Sequence, residues 1–138
     1  MKPKSYYLFD IAEPEHYSCY VQSYSIGHSE MTVKVMHHDK RDNQFFIVFG
    51  WVFGFTGTMK WNGVYLRKGT KKEFLEVIHE LLHKEMELEL ISDEQLLKRH
   101  PYDELYIFEG EHGQIKIISG PPEKVDASDA MFEHMLSK

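Results

Sequence analysis

A pentapeptide in a strongly helical stretch has the residue types and the spacing of a zinc site. His79 and His83 are four residues apart, so one face of a helix would direct both imidazoles toward a single metal ion. Glu80 lies between them and would act as the base that activates a metal-bound water. The pattern predicts a zinc-dependent hydrolase, with zinc as its cofactor, as one candidate function.

The positions around this pentapeptide argue against a metal centre. The apolar stripe of the helix centres near Ile78 and Leu82, which leaves His79 at the border of the stripe and His83 toward solvent. An extended metzincin-type motif would require a glycine at the position of Met86. We therefore favour a solvated helix flank with two incidental histidines, and we expect neither a catalytic residue nor a cofactor.

A cationic loop precedes the same helix. It contains four cations, a glycine and a threonine: Arg67, Lys68, Gly69, Thr70, Lys71 and Lys72. Because the helix dipole disfavours positive charge at this end, an anion bound to exposed backbone N–H groups would relieve the conflict. The loop is thus a candidate site for an anionic small molecule. We favour the alternative, a solvated lysine-rich edge that keeps the neighbouring strands from pairing with other sheets.

Other chemistry-bearing residues have no recognisable pattern. His37, His38 and Asp39 are consecutive at a strand end and point apart, so a polar turn is a better interpretation than a chelate. Cys19 lies within a predicted strand, away from any helix N-terminus that would lower its pKa. The sequence has no Gly-x-Ser-x-Gly elbow, Walker loop or GxGxxG motif, which excludes nucleophilic catalysis and nucleotide binding by those routes.

The most aromatic segment, residues 45 to 55, has period-two alternation. Phe49 and Trp51 fall on the face that carries the aromatic row, whereas Gly50 and Gly54 fall on the opposite face. The pattern predicts one central strand that is covered on both sides, with a helix backbone close to the glycines.

The remaining elements follow from local signals. Asn62 and Gly63 predict a two-residue hairpin between strands at 58–61 and 64–67. Capping-box spacing predicts a main helix from Lys71 to about Met86 and a short helix that opens after Ser92. Further strands are predicted at 17–24, 31–35, 88–91, 105–107 and 115–117.

These elements predict an α+β fold. We expect one strongly twisted antiparallel sheet of about six or seven strands, with the main helix on one face and the short helix nearby. Residues 1–122 would form a single domain, and residues 123–138 a C-terminal tail. The tail has apolar residues at helical spacing, which predict a short amphipathic helix: Met131, Phe132, Met135 and Leu136.

Composition limits the class of function. The 138 residues carry a formal charge of -6, which argues against a duplex nucleic-acid surface built on phosphate neutralisation. The longest apolar runs are shorter than a membrane span or a signal-peptide core, and a single cysteine allows no internal disulfide, so we expect a cytoplasmic protein.

Aromatic residues make up 14% of the chain and are concentrated before residue 66. We therefore expect a non-catalytic module in which aromatic residues and an acidic surface engage a protein partner or a second copy of the chain.

Overall fold

The computed structural model describes residues 7–25, 27–40, 44–82, 92–110 and 114–126. In this part of the chain there are nine β-strands and two α-helices. The strands are β1 (Tyr17–Ser25), β2 (Glu30–His37), β3 (Gln44–Phe49), β4 (Gly54–Gly57), β5 (Lys60–Asn62), β6 (Tyr65–Lys68), β7 (Glu104–Glu109), β8 (Gln114–Ser119) and β9 (Glu123–Asp126). The helices are α1 (Lys71–Leu82) and α2 (Asp93–Arg99), and a 3-10 turn, Pro14–His16, precedes β1.

The strands form two antiparallel sheets, so the α+β class is confirmed and the prediction of a single sheet is wrong. The first sheet has five strands in the order β5-β1-β2-β3-β9, and the second has four in the order β4-β8-β7-β6. Two sheets can bury their apolar faces against each other, and this arrangement covers more aromatic surface than one sheet and one helix can cover.

The structure is layered as sheet, sheet and helices. The inner core lies between the two sheets and contains Phe45, Ile47 and Phe49 from β3 together with Phe108 from β7. A second core lies on the other face of the second sheet, where Ile78 of α1 belongs to the same buried cluster as residues of α2, β7 and β8.

The aromatic run divides between the two sheets because its backbone partners change after Phe49. The N–H of Val52 donates to the Ser29 carbonyl at 2.7 Å, and the N–H of Phe53 donates to the Ile118 carbonyl at 2.8 Å. Ser29 lies in the connection between β1 and β2 of the first sheet, and Ile118 belongs to β8 of the second.

Trp51 lies within this crossing. It has a left-handed φ of 55° and is 82% exposed, so its predicted place in the core is wrong. A helix side chain, and not the predicted helix backbone, lies close to Gly54, where an added Cβ would lie 2.8 Å from Cδ1 of Leu81; in the described residues nothing lies within 4 Å of a Cβ added at Gly50.

Asn62 and Gly63 also connect the two sheets, and the predicted hairpin at this position is wrong. β5 pairs with β1 in the first sheet, whereas β6 pairs with β7 in the second. Gly63 has a φ of 92°, the positive value that an Asn-Gly turn favours, and its N–H donates to the Tyr17 carbonyl at 2.7 Å. Asn62 is the last residue of β5 and does not have a positive φ, so the predicted two-residue turn does not form and the following strand enters the other sheet.

Local predictions elsewhere are confirmed. α2 begins at a capping box formed by Ser92 and Gln95 and ends at Arg99, before Pro101. β7 and β8 form the predicted hairpin.

Residues 123–126, which the sequence assigned to the C-terminal tail, form β9 beside β3. The predictions for residues 83–91 and 127–138, including the end of the main helix, the strand at 88–91 and the tail helix, lie outside the described residues.

In the described residues, neither helix has the length and apolar character needed to cross a membrane.

Phe49→Ala should reduce the free energy of unfolding by about 3 to 5 kcal/mol, because it removes a fully buried ring that packs between the sheets. The Phe49 ring centroid lies 5.8 Å from that of Phe108 and 6.1 Å from that of Tyr106. Trp51→Ala is the matched control, and urea denaturation should show a change within about 0.5 kcal/mol for this exposed ring. Equal destabilisation by both substitutions would contradict the two-sheet core.

Candidate functional site

Two of the four cations of the predicted anion loop, Arg67 and Lys68, are engaged by carboxylates of the same chain. The Arg67 guanidinium donates hydrogen bonds of 2.7 Å and 2.9 Å to the two carboxylate oxygens of Glu73. Nε of Arg67 also lies 3.3 Å from Oε2 of Glu109, and Nζ of Lys68 lies 3.2 Å from Oε1 of Glu104. The charges of Arg67 and Lys68, which precede α1, are therefore balanced from within.

Glu73 supplies the anion that the N-terminus of α1 favours. The Thr70 N–H donates to Oε1 of Glu73 at 2.9 Å, and the Glu73 N–H donates to the Thr70 hydroxyl at 3.1 Å. The hydrogen bonds from Arg67 are the main cause that lowers the pKa of Glu73 from 4.5 to about 2. Lys71 and Lys72 are exposed, and binding of an external anion beside them stays a prediction.

Two concave surfaces near this loop carry mixed charge. A cleft of about 370 Å³ is lined by charged and titratable groups of both signs: Lys68, Lys71, His100, Asp103 and Glu104. A groove of about 560 Å³ on the helices is lined in the same way: Lys71, Lys72, Glu76, His79 and Asp93. Because each combines positive and negative groups, neither selects one sign of ligand charge.

His79 and Glu80, the two candidate zinc-site residues that the structure describes, make separate contacts. Nε2 of His79 lies 3.1 Å from Oδ1 of Asp93, and the side chain is about half exposed. Glu80 accepts a hydrogen bond of 3.2 Å from the hydroxyl of Thr56. His83 lies outside the described residues, so the zinc hypothesis stays a prediction.

A different set of possible metal ligands lies near the start of β1. Ligand atoms of Glu13, His16 and His37 are all within 4.8 Å of one another. However, Nδ1 of His37 accepts backbone N–H hydrogen bonds from Asp39 at 3.1 Å and from Lys40 at 3.2 Å. These bonds place the proton of a neutral His37 ring on Nε2, which then donates and is not a metal ligand. The ring therefore stabilises the polar turn predicted after β2.

A third concave surface, also of about 560 Å³, has negatively charged side chains among its described lining residues. We call it the acidic cleft, and it is lined by Tyr7, Glu15, Asn62, Gly63, Tyr65, Glu109 and Gly110. Among the described residues that line it are two glutamates and two tyrosines, and none of these described residues is a lysine, arginine or histidine. Both the charge and the aromatic rings therefore favour a cation.

The connections between the sheets position the acidic cleft. In the 3-10 turn, the carbonyl of Pro14 accepts a hydrogen bond of 3.0 Å from the N–H of Val64, which holds the turn carrying Glu15 beside the β5–β6 connection. Tyr65 on β6 is directly opposite Glu109 on β7, so both side chains lie on the same face of the second sheet.

Two tyrosine rings form the aromatic part of the cleft. The ring centroids of Tyr7 and Tyr65 are 5.4 Å apart, and their planes are inclined at 53°. The Tyr65 hydroxyl donates to Oε2 of Glu15 at 3.4 Å. Burial, followed by the negative charge of Glu15, raises the pKa of Tyr65, so the hydroxyl stays protonated at neutral pH and remains a donor.

Other aromatic rings are exposed outside the acidic cleft. Trp51 and Tyr102 are 82% and 87% exposed. Phe53 packs edge-to-face against His100, with a centroid distance of 4.5 Å. The sequence placed Trp51 in the core, and engagement of a partner by aromatic residues stays a prediction.

Sequence reasoning did not find the acidic cleft. Its residues come from positions 7 to 110 and meet because the chain passes from β5 in one sheet to β6 in the other. The two available signals were general ones, an excess of acidic residues and a concentration of aromatic residues before residue 66. Those signals indicated the chemistry of the surface but not its location.

Glu73→Gln should lower the free energy of unfolding by about 1 to 2 kcal/mol at neutral pH, since it weakens a cap and removes a charged hydrogen-bond acceptor. The pKa of Glu73 is lower in the folded state, so its contribution is fully present above about pH 4.5 and is lost as the pH falls toward about 2. Urea denaturation from about pH 7 to about pH 3 should therefore show a shrinking difference between the wild type and the variant.

Glu94→Gln is the matched control, because Glu94 is an exposed carboxylate whose partner Lys98 lies 3.7 Å away. The control should stay within about 0.5 kcal/mol of the wild type across the same pH range. A Glu73→Gln difference that does not change with pH would contradict the assigned cause.

Comparison with known proteins found no similar protein. No protein-family model matches the chain, and no curated protein or solved structure is significantly similar to it.

Proposed function

We propose that this protein is a non-catalytic binding module whose acidic cleft accepts a lysine or arginine side chain of a protein partner. The observation that carries the proposal is the convergence of two carboxylates and two tyrosine rings in one cleft of about 560 Å³. Carboxylates attract a cation, and the negative faces of aromatic rings add to that attraction.

The glutamates have different roles in this proposal. Glu109 lies near Arg67, and its side chain is 23% exposed, so its charge is partly compensated within the protein. Glu15 is 56% exposed, accepts a hydrogen bond from the neutral hydroxyl of Tyr65, and has its Oε1 3.8 Å from Nε2 of His16. The carboxylate of Glu15 is therefore the more accessible contact for an incoming ammonium or guanidinium group.

The lining favours a side chain on a protein surface over a free small molecule. Pockets for small molecules are lined mostly by apolar side chains and enclose most of the ligand. The acidic cleft instead combines charged, amide and phenolic groups with two glycines. Glycine leaves backbone accessible, which suits the approach of a second polypeptide chain.

The test measures binding of Nα-acetyl-lysine methylamide and Nα-acetyl-arginine methylamide by chemical-shift changes in the full chain. We expect Gly63 and Gly110 to shift with both probes. The neutral isostere Nα-acetyl-norleucine methylamide should cause little change, and added salt should weaken the binding of the charged probes. Equal binding of the norleucine probe would contradict the proposed recognition of charge.

Substitutions separate charge from ring contacts. Glu15→Gln should weaken binding of the lysine probe about three- to fivefold, which corresponds to about 0.7 to 1 kcal/mol for an exposed ion pair. Tyr65→Phe keeps the ring and should retain most of the affinity, whereas Tyr65→Leu should lose more. Glu94→Gln removes the same charge far along the chain, on α2, and is the matched control. The proposal fails if Glu15→Gln and Glu94→Gln bind the probe equally well.

A further inference from the structure

The Tyr65 ring of the acidic cleft is held in place by three contacts within the chain. Its edge lies against Gly63, where an added Cβ would be 2.8 Å from Cε2 of the ring and 3.0 Å from Cδ2. The Tyr7 ring packs against it at a centroid distance of 5.4 Å, and its hydroxyl donates to Oε2 of Glu15 at 3.4 Å. Because the ring is already positioned, a ligand that packs on it causes little further loss of side-chain entropy.

The two carboxylates of the cleft each have a donor of the same chain beside one oxygen. Oε2 of Glu15 accepts the hydrogen bond from Tyr65, and Oε2 of Glu109 lies 3.3 Å from Nε of Arg67. A guanidinium pairs most strongly when two of its N–H groups meet both oxygens of one carboxylate. The internal donors oppose such a pair at either glutamate, so the geometry favours an ammonium over a guanidinium.

Oε1 of Glu15 is the oxygen that an incoming ammonium can reach. It lies 3.8 Å from Nε2 of His16, which is beyond hydrogen-bond distance, and the Glu15 side chain is 56% exposed. An ionised carboxylate oxygen accepts N–H groups and donates none. The cleft therefore combines this acceptor with two aromatic rings, a combination that fits a cation with a single N–H and apolar groups around the rest of its charge.

We propose that the basic side chain recognised by the acidic cleft is dimethyllysine. Its ammonium keeps the positive charge and one N–H, which donates to Oε1 of Glu15, and its two methyl groups pack on the rings of Tyr7 and Tyr65. Aromatic rings attract alkylated ammonium groups through their negative faces, and this attraction increases as the cation loses water. This inference rests on the proposed function and names the chemical form of its ligand.

The other methylation states fit this lining less well. Unmodified lysine has three N–H groups and is strongly hydrated, so packing it against the rings of Tyr7 and Tyr65 removes water that the rings do not replace. A trimethylated or other quaternary ammonium has no N–H for Oε1 of Glu15. The structure therefore favours the dimethylated state over both of its neighbours.

The test compares three probes on the full chain by chemical-shift titration: Nα-acetyl-lysine methylamide and its Nε-dimethylated and Nε-trimethylated forms. The dimethylated probe should bind about fivefold more tightly than the unmodified one and more tightly than the trimethylated one. Its N-methyl proton resonances should move upfield on binding, because they would lie over ring faces. Equal affinity of the dimethylated and unmodified probes, or tighter binding of the trimethylated one, would overturn the inference.

Ring substitutions test the cause of the preference. Tyr7→Leu should bring the affinities for the dimethylated and unmodified probes close together, whereas Tyr7→Phe keeps the ring and should keep the preference. Tyr102→Leu is the matched control, because Tyr102 is 87% exposed and is not among the described residues that line the cleft. A preference that survives Tyr7→Leu at the wild-type ratio would contradict packing of the methyl groups on the rings.

The failure of this inference is distinct from the failure of the proposed function. If the unmodified and dimethylated probes bind equally well and Glu15→Gln weakens both, the inference is overturned and recognition of a basic side chain stands. If none of the three charged probes binds, the proposed function fails and the inference fails with it.

Discussion

The burial of aromatic surface between two sheets is the constraint on which the rest of the structure depends. β3 contributes Phe45 and Phe49 to the inner core, and β7 contributes Phe108 from the opposite sheet. To complete both layers, the chain must leave one sheet and enter the other while its backbone groups keep their hydrogen bonds. The bonds from Val52 to Ser29 and from Phe53 to Ile118 satisfy this requirement at the first crossing.

The crossing from β5 to β6 places chemistry at the surface as a consequence of the same constraint. Gly63 turns the chain from β5 into β6, and the neighbouring Tyr65 then lies beside the turn that carries Glu15. Arg67 continues the same face of β6 and is shared between Glu109 in the acidic cleft and Glu73 at the start of α1. One guanidinium thus connects the charge of the cleft to the cap of the main helix, so a change at either carboxylate alters the electrostatic environment of the other.

The sequence predicted elements whose signals are local, because the physics of those elements is local. The capping residues Thr70 and Ser92 fix the starts of their helices through bonds to residues three positions away. The β7–β8 hairpin likewise joins neighbouring segments. In contrast, the alternation from residue 45 to 55 shows which residues share a face only if all of them belong to one strand. It does not show which of the two sheets each backbone group pairs with. The acidic cleft depends on the crossing from β5 to β6, so its location was not accessible to periodicity or spacing, although its acidic and aromatic character was.

The crossing at residue 51 and the strand at residue 61 place the two tryptophans of the chain in opposite surroundings. Trp51 is 82% exposed, whereas Trp61 is 7% exposed, with its ring centroid 4.8 Å from that of Phe108. Indole emission shifts to shorter wavelength in an apolar environment, and soluble quenchers reach exposed indoles first. The native protein therefore carries two distinguishable fluorophores, one that samples solvent and one that reports the packing of the inner core next to the acidic cleft.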